Sequence, residues 1–249
     1  LDKYLETNGD SRIAFWERPT APAASLAGAV LLHSLFFDHA MFGDVVSLLA
    51  PGRSLLAPDH RGQGDSIGGS TPPSICQLAA DVIALIETQA DHPVHLVGSS
   101  MGGYVAMEVA LRRPELLMSC TLSCCTAEAE RQPERFAGLE AALRDKGSAI
   151  MANELLHMMF GEQFLREADG ATLERWRSHF SSLSRAVPDA VHGAFARPSY
   201  VERLSEIRMP VLLFSGAQDR AKRPEDMELI AKHIAGSRHV LFEHSGHTP

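Results

Sequence analysis

The sequence is poor in cysteine, poor in aromatic residues and short of positive charge. Its four cysteines, Cys76, Cys120, Cys124 and Cys125, form no C-x-x-C pair. That excludes a disulfide scaffold or a zinc ribbon and leaves small buried hydrophobes as their expected role. Lys and Arg number 23 against 31 Asp and Glu, a net charge of −8. A surface of that sign repels phosphate, so neither nucleic acid nor an anionic membrane is an expected partner. The uncharged stretch 19–37 is broken by Pro19, Pro22, Ser25, His33 and Ser34 and does not read as a membrane span. H-E-x-x-H is absent, and His157, His179 and His192 lack metal-ligand spacing. Gly62-Gln63-Gly64 lacks the third glycine and the strand–helix setting of a dinucleotide fingerprint. No metal and no cofactor are therefore expected. No signal peptide is visible, and a soluble cytoplasmic protein is the expectation.

What is present is ordinary globular material, 249 residues with 45% hydrophobic and 22% charged, enough for one large domain or one domain with an insertion. Asn8-Gly9 between Lys3–Thr7 and Ile13–Trp16 predicts an antiparallel hairpin. Short apolar runs at Ala29–Leu32, Ser54–Ala57, Val94–Val97 and Leu116–Ser123 read as buried parallel strands. Helices are predicted over 39–50, after the capping box Ser74-Ile75-Cys76-Gln77, and over Met101–Arg112. The alternation then stops. Residues 127–197 contain helical patterns (Pro133–Lys146, Ser148–Phe160, Ala171–Ser184) and no convincing strand. Strand Pro210–Phe214, a helix carrying Met227, Ile230, Ala231 and Ile234, and strand His239–Phe242 complete the pattern. The expected fold is α/β, a mostly parallel central sheet with helices on both faces. Its core comprises residues 1–126 and 198–249, with an inserted helical cap over 127–197.

Gly98-Ser99-Ser100-Met101-Gly102 fits G-x-S-x-G, directly after one predicted strand and directly before a helix. This is the setting of a nucleophile elbow: the sharp turn exposes the Ser100 hydroxyl beside the free N–H groups of a helix start. A serine needs a base to take its proton, and the base needs an orienting acid. Chain order Ser, Asp, His nominates Asp219 and His247, each just past the C-terminal end of a predicted strand, the edge where open parallel sheets bind ligands. Glu128, after the strand Leu116–Ser123, is the competing acid.

At these residues the chain resembles the α/β-hydrolase family. Leu31-Leu32-His33-Ser34-Leu35 stands where the family usually has H-G-x, with Ser34 at the glycine. Asp59-His60-Arg61-Gly62-Gln63-Gly64-Asp65-Ser66 is similar to its D-x-R-G-x-G-x-S loop, Gly216-Ala217-Gln218-Asp219 to its acid loop and Gly246-His247 to its base. The resemblance runs from about residue 11 to the end and is nearest to cap-bearing esterases and the 3-oxoadipate enol-lactonase group. It implies an oxyanion hole from the backbone N–H groups of Leu35 and Met101. His33 could be read as catalytic, but a hydrogen-bonding support of this loop is the preferred reading. It also implies a final helix beyond His247, whereas this sequence ends two residues later. Phe36, Met158 and Met159 are candidates to line an apolar pocket over Ser100; the methionines equally suit plain packing of the cap. The cap arginines Arg131, Arg135, Arg175 and Arg185 could bind a substrate carboxylate.

The expected activity is hydrolysis of a small carboxylic ester through an acyl-enzyme, with a small-molecule ester or lactone as the partner. Enol-lactonase, perhydrolase and carbon–carbon hydrolase chemistry remain open, as does a non-catalytic ligand-binding receptor of the same fold. Oligomeric state is left open.

Overall fold

A computed structural model of the chain describes residues 3–7, 11–19, 26–50, 52–91 and 93–249. The predicted Asn8-Gly9 turn and most of the Pro/Ala-rich loop lie outside the described residues. The flanking strands β1 (Lys3–Glu6) and β2 (Arg12–Arg18) pair antiparallel, from Lys3↔Phe15 to Glu6↔Arg12. The remaining strands are β3 (Ala29–Leu32), β4 (Leu55–Pro58), β5 (Val94–Ser99), β6 (Leu117–Ser123), β7 (Val211–Gly216) and β8 (Arg238–Phe242). They form one eight-stranded sheet in the order β1-β2-β4-β3-β5-β6-β7-β8. β2 runs antiparallel to β4, and every pairing from β4 to β8 is parallel. This is the mostly parallel α/β architecture the alternation predicted.

Alternate residues of β3 separate the two faces. Val30 and Leu32 join the main core with α2 (Ile75–Gln89), α3 (Met101–Arg112) and α9 (Pro224–His233); Ala29 and Leu31 pack with Val46 and Leu49 of α1 (Gly43–Leu48) and its flank. The capping box at Ser74 is formed: Gln77 N donates to Ser74 Oγ at 3.2 Å, and Ser74 N to Gln77 Oε1 at 2.9 Å. Between β6 and β7 lie α4 (Pro133–Lys146), α5 (Ala152–Met159), α6 (Glu162–Glu167), α7 (Gly170–Ser181) and α8 (Val187–Phe195). The sequence reading missed α6 and α8. α6 has only six residues, too short for a periodic signal, and α8 carries Pro188, which a first helical turn accepts because its N–H would be unbonded there anyway. The helix predicted over 39–50 divides into a 3-10 turn, His39–Phe42, and α1.

The loops after β3 and β4 are tied together by buried imidazoles. His33 Nδ1 donates to the Ser34 carbonyl at 2.8 Å and its Nε2 accepts the His60 N–H at 2.9 Å, a pattern that requires the neutral ring. The His60 ring sits 4.5 Å from that of His33, with its Nε2 unbonded. Burial holds both groups below the usual histidine value of 6.5, His60 the further. Asp59 on the same loop accepts from His39 N at 2.7 Å and Asp65 N at 2.9 Å.

Acid should therefore destabilise the fold in a defined window. Below about pH 6.5 an unfolded chain protonates His33 and His60 while the folded chain refuses those protons, so stability falls as pH drops. His39, raised by its bond to Asp59, contributes fully below that pH and is lost only above it, so it does not mask the effect. Calorimetric midpoints should rise with pH between about pH 5 and 6.5, and His60→Phe should flatten the slope. An unchanged slope in His60→Phe would remove this residue from the account.

Candidate active site

The site begins with backbone crowding at the end of the central strand. A Cβ on Gly98 would run into the carbonyl of Gly102, and one on Gly102 into the carbonyl of Leu32. Only hydrogen fits at these positions, so α3 can start directly against β3 and β5. The chain reverses at Ser100 with φ 50° and ψ −108°, a left-handed value unusual for a residue with a side chain. Ser100 N donates to the Ser123 carbonyl at 2.8 Å, and the Ser100 carbonyl accepts from Gly103 and Tyr104 N–H at 2.9 and 3.1 Å. Ser100 thus caps the helix with its carbonyl and leaves its hydroxyl out of the cap.

Asp219 and His247 come together from separate loops. His247 Nδ1 donates to Asp219 Oδ2 at 2.8 Å, and both side chains are buried. Asp219 Oδ1 accepts from Ala221 N at 2.7 Å and Lys222 N at 2.9 Å, so the carboxylate is fixed from both oxygens. The His247 loop is held by the helical insertion: His247 N donates to the Met159 carbonyl at 3.1 Å. The competing acid is elsewhere engaged, because Glu128 pairs with Arg131.

A cavity of about 60 Å³ is lined by Ser100, Met101 and His247 together with Leu35, Phe36, Met158 and Met159. All eight residues singled out from the sequence therefore converge, counting Asp219 behind His247. The loop after β3 is a turn in which Phe37 N donates to the Ser34 carbonyl at 3.2 Å. Phe36 takes the positive φ, 72°, while Ser34 is not among the left-handed residues, so serine is accommodated where the family has glycine. In such a turn the second residue, Leu35, keeps its N–H free of the turn's own bond.

Sequence reasoning missed Arg220 and Lys222, which line the cavity from the core loop beside Asp219. Their signal was proximity: they follow Asp219 by one and three positions. Burial and the nearby Arg197 push the Lys222 ammonium below its usual range, and Lys222 Nζ lies 3.6 Å from Glu130 Oε2. None of Arg131, Arg175 or Arg185 lines this cavity. A larger hollow of about 1160 Å³ runs along the α1 face of the sheet, past Val97, Thr121, Leu212 and Phe214, and includes neither Ser100 nor His247. Among the described residues one donor cluster is tight enough for a metal, Cys124, Asp219 and His247, with ligand atoms within 4.8 Å of one another. Burial and the Asp219 charge drive the Cys124 thiol well above its usual value, which favours a protonated thiol over a thiolate ligand, and the other two groups bind each other. No helix among the described residues is long and apolar enough to cross a membrane.

A family model described as alpha/beta hydrolase fold matches residues 30–249. A pimeloyl-(acyl-carrier protein) methyl ester esterase of Neisseria meningitidis serogroup C is 31% identical over 249 residues, covering 94% of this chain and 91% of that protein. Among solved structures, an enol-lactonase from Burkholderia xenovorans superposes with a TM-score of 0.90 at 25% identity, covering 99% of this chain and 93% of that one. A thermophilic esterase from Thermogutta terrifontis gives 0.88 at 25% identity, with 99% and 90% covered.

Proposed function

The chain belongs to the α/β-hydrolase-fold family and is a hydrolase, and from that premise we propose that it cleaves small carboxylic esters by a Ser100–His247–Asp219 mechanism. The observation that carries the reading is that His247, bonded to the buried Asp219, lines one cavity with the Ser100 elbow. In this mechanism Ser100 Oγ attacks the ester carbonyl carbon while His247 Nε2 takes the hydroxyl proton. His247 Nδ1–H stays on Asp219, which fixes the tautomer and stabilises the imidazolium. The N–H groups of Met101 and Leu35 receive the developing oxyanion. His247 returns its proton to the leaving alcohol, and water repeats the sequence to release the acid and free Ser100.

The helices between β6 and β7 act as a cap that excludes water and limits substrate size. The cavity beside Ser100 is small, about 60 Å³, and suits a small alcohol or acyl group. The methyl ester named for the Neisseria relative agrees with a small leaving alcohol. A lactone is the second reading, supported by the likeness to the enol-lactonase structure and by the Arg220 and Lys222 lining.

Ser100→Ala should lower kcat/KM for p-nitrophenyl acetate by about 10³-fold or more and end labelling by a fluorophosphonate, with the thermal midpoint little changed. Persistent labelling would identify another nucleophile. Asp219→Asn should cost roughly 10²- to 10⁴-fold, because the histidine is left without its orienting carboxylate. Wild-type rates in that variant, with Glu128→Gln inactive, would reverse the acid assignment.

Met158 and Met159 bound the cavity, and Met159 holds His247 through its backbone, which alanine retains. Met158→Ala or Met159→Ala should thus shift preference from acetyl toward butyryl and octanoyl esters while sparing the chemistry. Each extra buried methylene is worth about 0.8 kcal/mol, roughly fourfold in kcat/KM. Identical chain-length profiles in both variants and the wild type would reduce the two residues to packing.

A further inference from the structure

The loop proposed to carry the Leu35 donor is gripped from two sides. Phe36 sits in it at φ 72°, a value glycine adopts freely and phenylalanine does not. Both polar groups of this residue are held by side chains from elsewhere. Its N–H donates to Gln63 Oε1 at 3.0 Å, and its carbonyl accepts from His179 Nε2 at 2.8 Å. Gln63 is buried in the loop after β4, and its other amide atom donates to Met101 Sδ at 3.9 Å, so one side chain links the residue after Leu35 to Met101. His179 comes from α7, within the helical insertion.

The approach of α7 is not casual. Phe37, the next residue of the loop, lies stacked on the His179 ring at 6.0 Å and edge-on to Trp176 and Phe180 at 5.3 and 5.4 Å. This aromatic contact fixes where α7 sits, and the hydrogen bond fixes the peptide plane that follows Phe36. The Phe36 carbonyl only accepts, so the proton is on Nε2, and Nδ1 faces Asp38 Oδ2 at 3.8 Å.

We propose that His179 is a positioning residue for the oxyanion site: by holding the Phe36 carbonyl while Gln63 holds its N–H, it keeps the strained turn in the conformation that presents Leu35 N–H to the cavity. The helical insertion then does more than enclose the substrate; it completes the transition-state donor set. This rests on the ester-hydrolase reading and on Leu35 as the second donor. A peptide that can rotate away weakens the stabilisation of the oxyanion and leaves ground-state binding nearly intact, because the ester carbonyl needs that donor much less than the tetrahedral intermediate does.

The test separates kcat from KM and adds an oxyanion mimic. His179→Phe keeps a ring against Phe37 and Trp176 but donates nothing, whereas His179→Gln retains an amide N–H. With p-nitrophenyl acetate, His179→Phe is expected to lose about 10- to 100-fold in kcat with KM within about twofold of wild type. Its affinity for a trifluoromethyl ketone, which forms a tetrahedral oxyanion on Ser100, should fall by a similar factor. His179→Gln should recover most of both, and Gln63→Leu, which frees the peptide group on the other side of Phe36, should behave like His179→Phe. Wild-type kcat and ketone affinity in His179→Phe would overturn the proposal. So would equal losses in the Phe and Gln variants accompanied by a lower thermal midpoint, the mark of a purely structural role, or a loss confined to Gln63→Leu. Ser100→Ala in the same assay keeps the two readings apart. Turnover retained there removes the hydrolase mechanism itself, while an inactive Ser100→Ala beside an unaffected His179→Phe removes only the role of His179.

Discussion

The close approach of β3, β5 and the start of α3 is the constraint on which the site depends. Gly98 and Gly102 let backbone carbonyls pass where any side chain would collide. Once that approach is made, the chain between them has one way to turn, and Ser100 is carried into a left-handed conformation at the head of the helix. The same approach brings the end of β3, and so the loop of Leu35 and Phe36, over the first turn of α3 where Met101 offers its N–H. The positions of the proposed nucleophile and the proposed oxyanion donors therefore follow from a single packing contact.

The proposed base is placed by a second set of contacts. Asp219 is fixed by two backbone N–H groups of its own loop before it meets His247, so its free oxygen has a set direction. His247 is held at its backbone by Met159 of the insertion. The insertion thus reaches the proposed machinery twice, through Met159 to the histidine loop and through His179 to the turn at Phe36. Both contacts are hydrogen bonds to backbone groups of core loops, and ring contacts of Phe37 and Phe160 with Phe180 accompany them, which is how an insertion without strands of its own can hold loops of the core in register.

What the sequence made legible follows from the range of the interactions involved. The strands, α2, α3 and the Ser100 elbow are local patterns of apolar residues, caps and glycines, and they read directly. Asp219 and His247 are distant from Ser100 in sequence but follow strand ends, so the topology of a parallel sheet gathers them at one edge. Leu35 and Met101 entered by resemblance, and both line the cavity beside Ser100. Gln63 and His179 were not legible. Nothing local marks a glutamine in a glycine-rich loop or a histidine on an amphipathic helix as the holder of a peptide bond 27 or 143 residues away. Lys222 and Arg220 were not legible either, because the cap arginines resemble them in sequence, whereas the lining cations stand beside Asp219 on the core.

Backbone strain gives an independent view of where the fold spends its stability. Among the described residues, three that are not glycine have positive φ: Phe36 at 72°, Ser100 at 50° and Cys124 at 48°. They follow β3, β5 and β6, three strands adjacent in the sheet, and all stand at its C-terminal edge. Each such residue costs of order 1–3 kcal/mol, a cost retained only where surrounding structure over-determines the conformation. Here it does. Ser100 is held by Ser123 and the first turn of α3, Phe36 by Gln63 and His179, and Cys124 by its N–H bond to the Phe214 carbonyl at 2.9 Å. Scattered strain would mark accidents of packing. Strain confined to one edge, each instance locked by named bonds and two of the three lining the cavity beside His247, marks a surface arranged for chemistry.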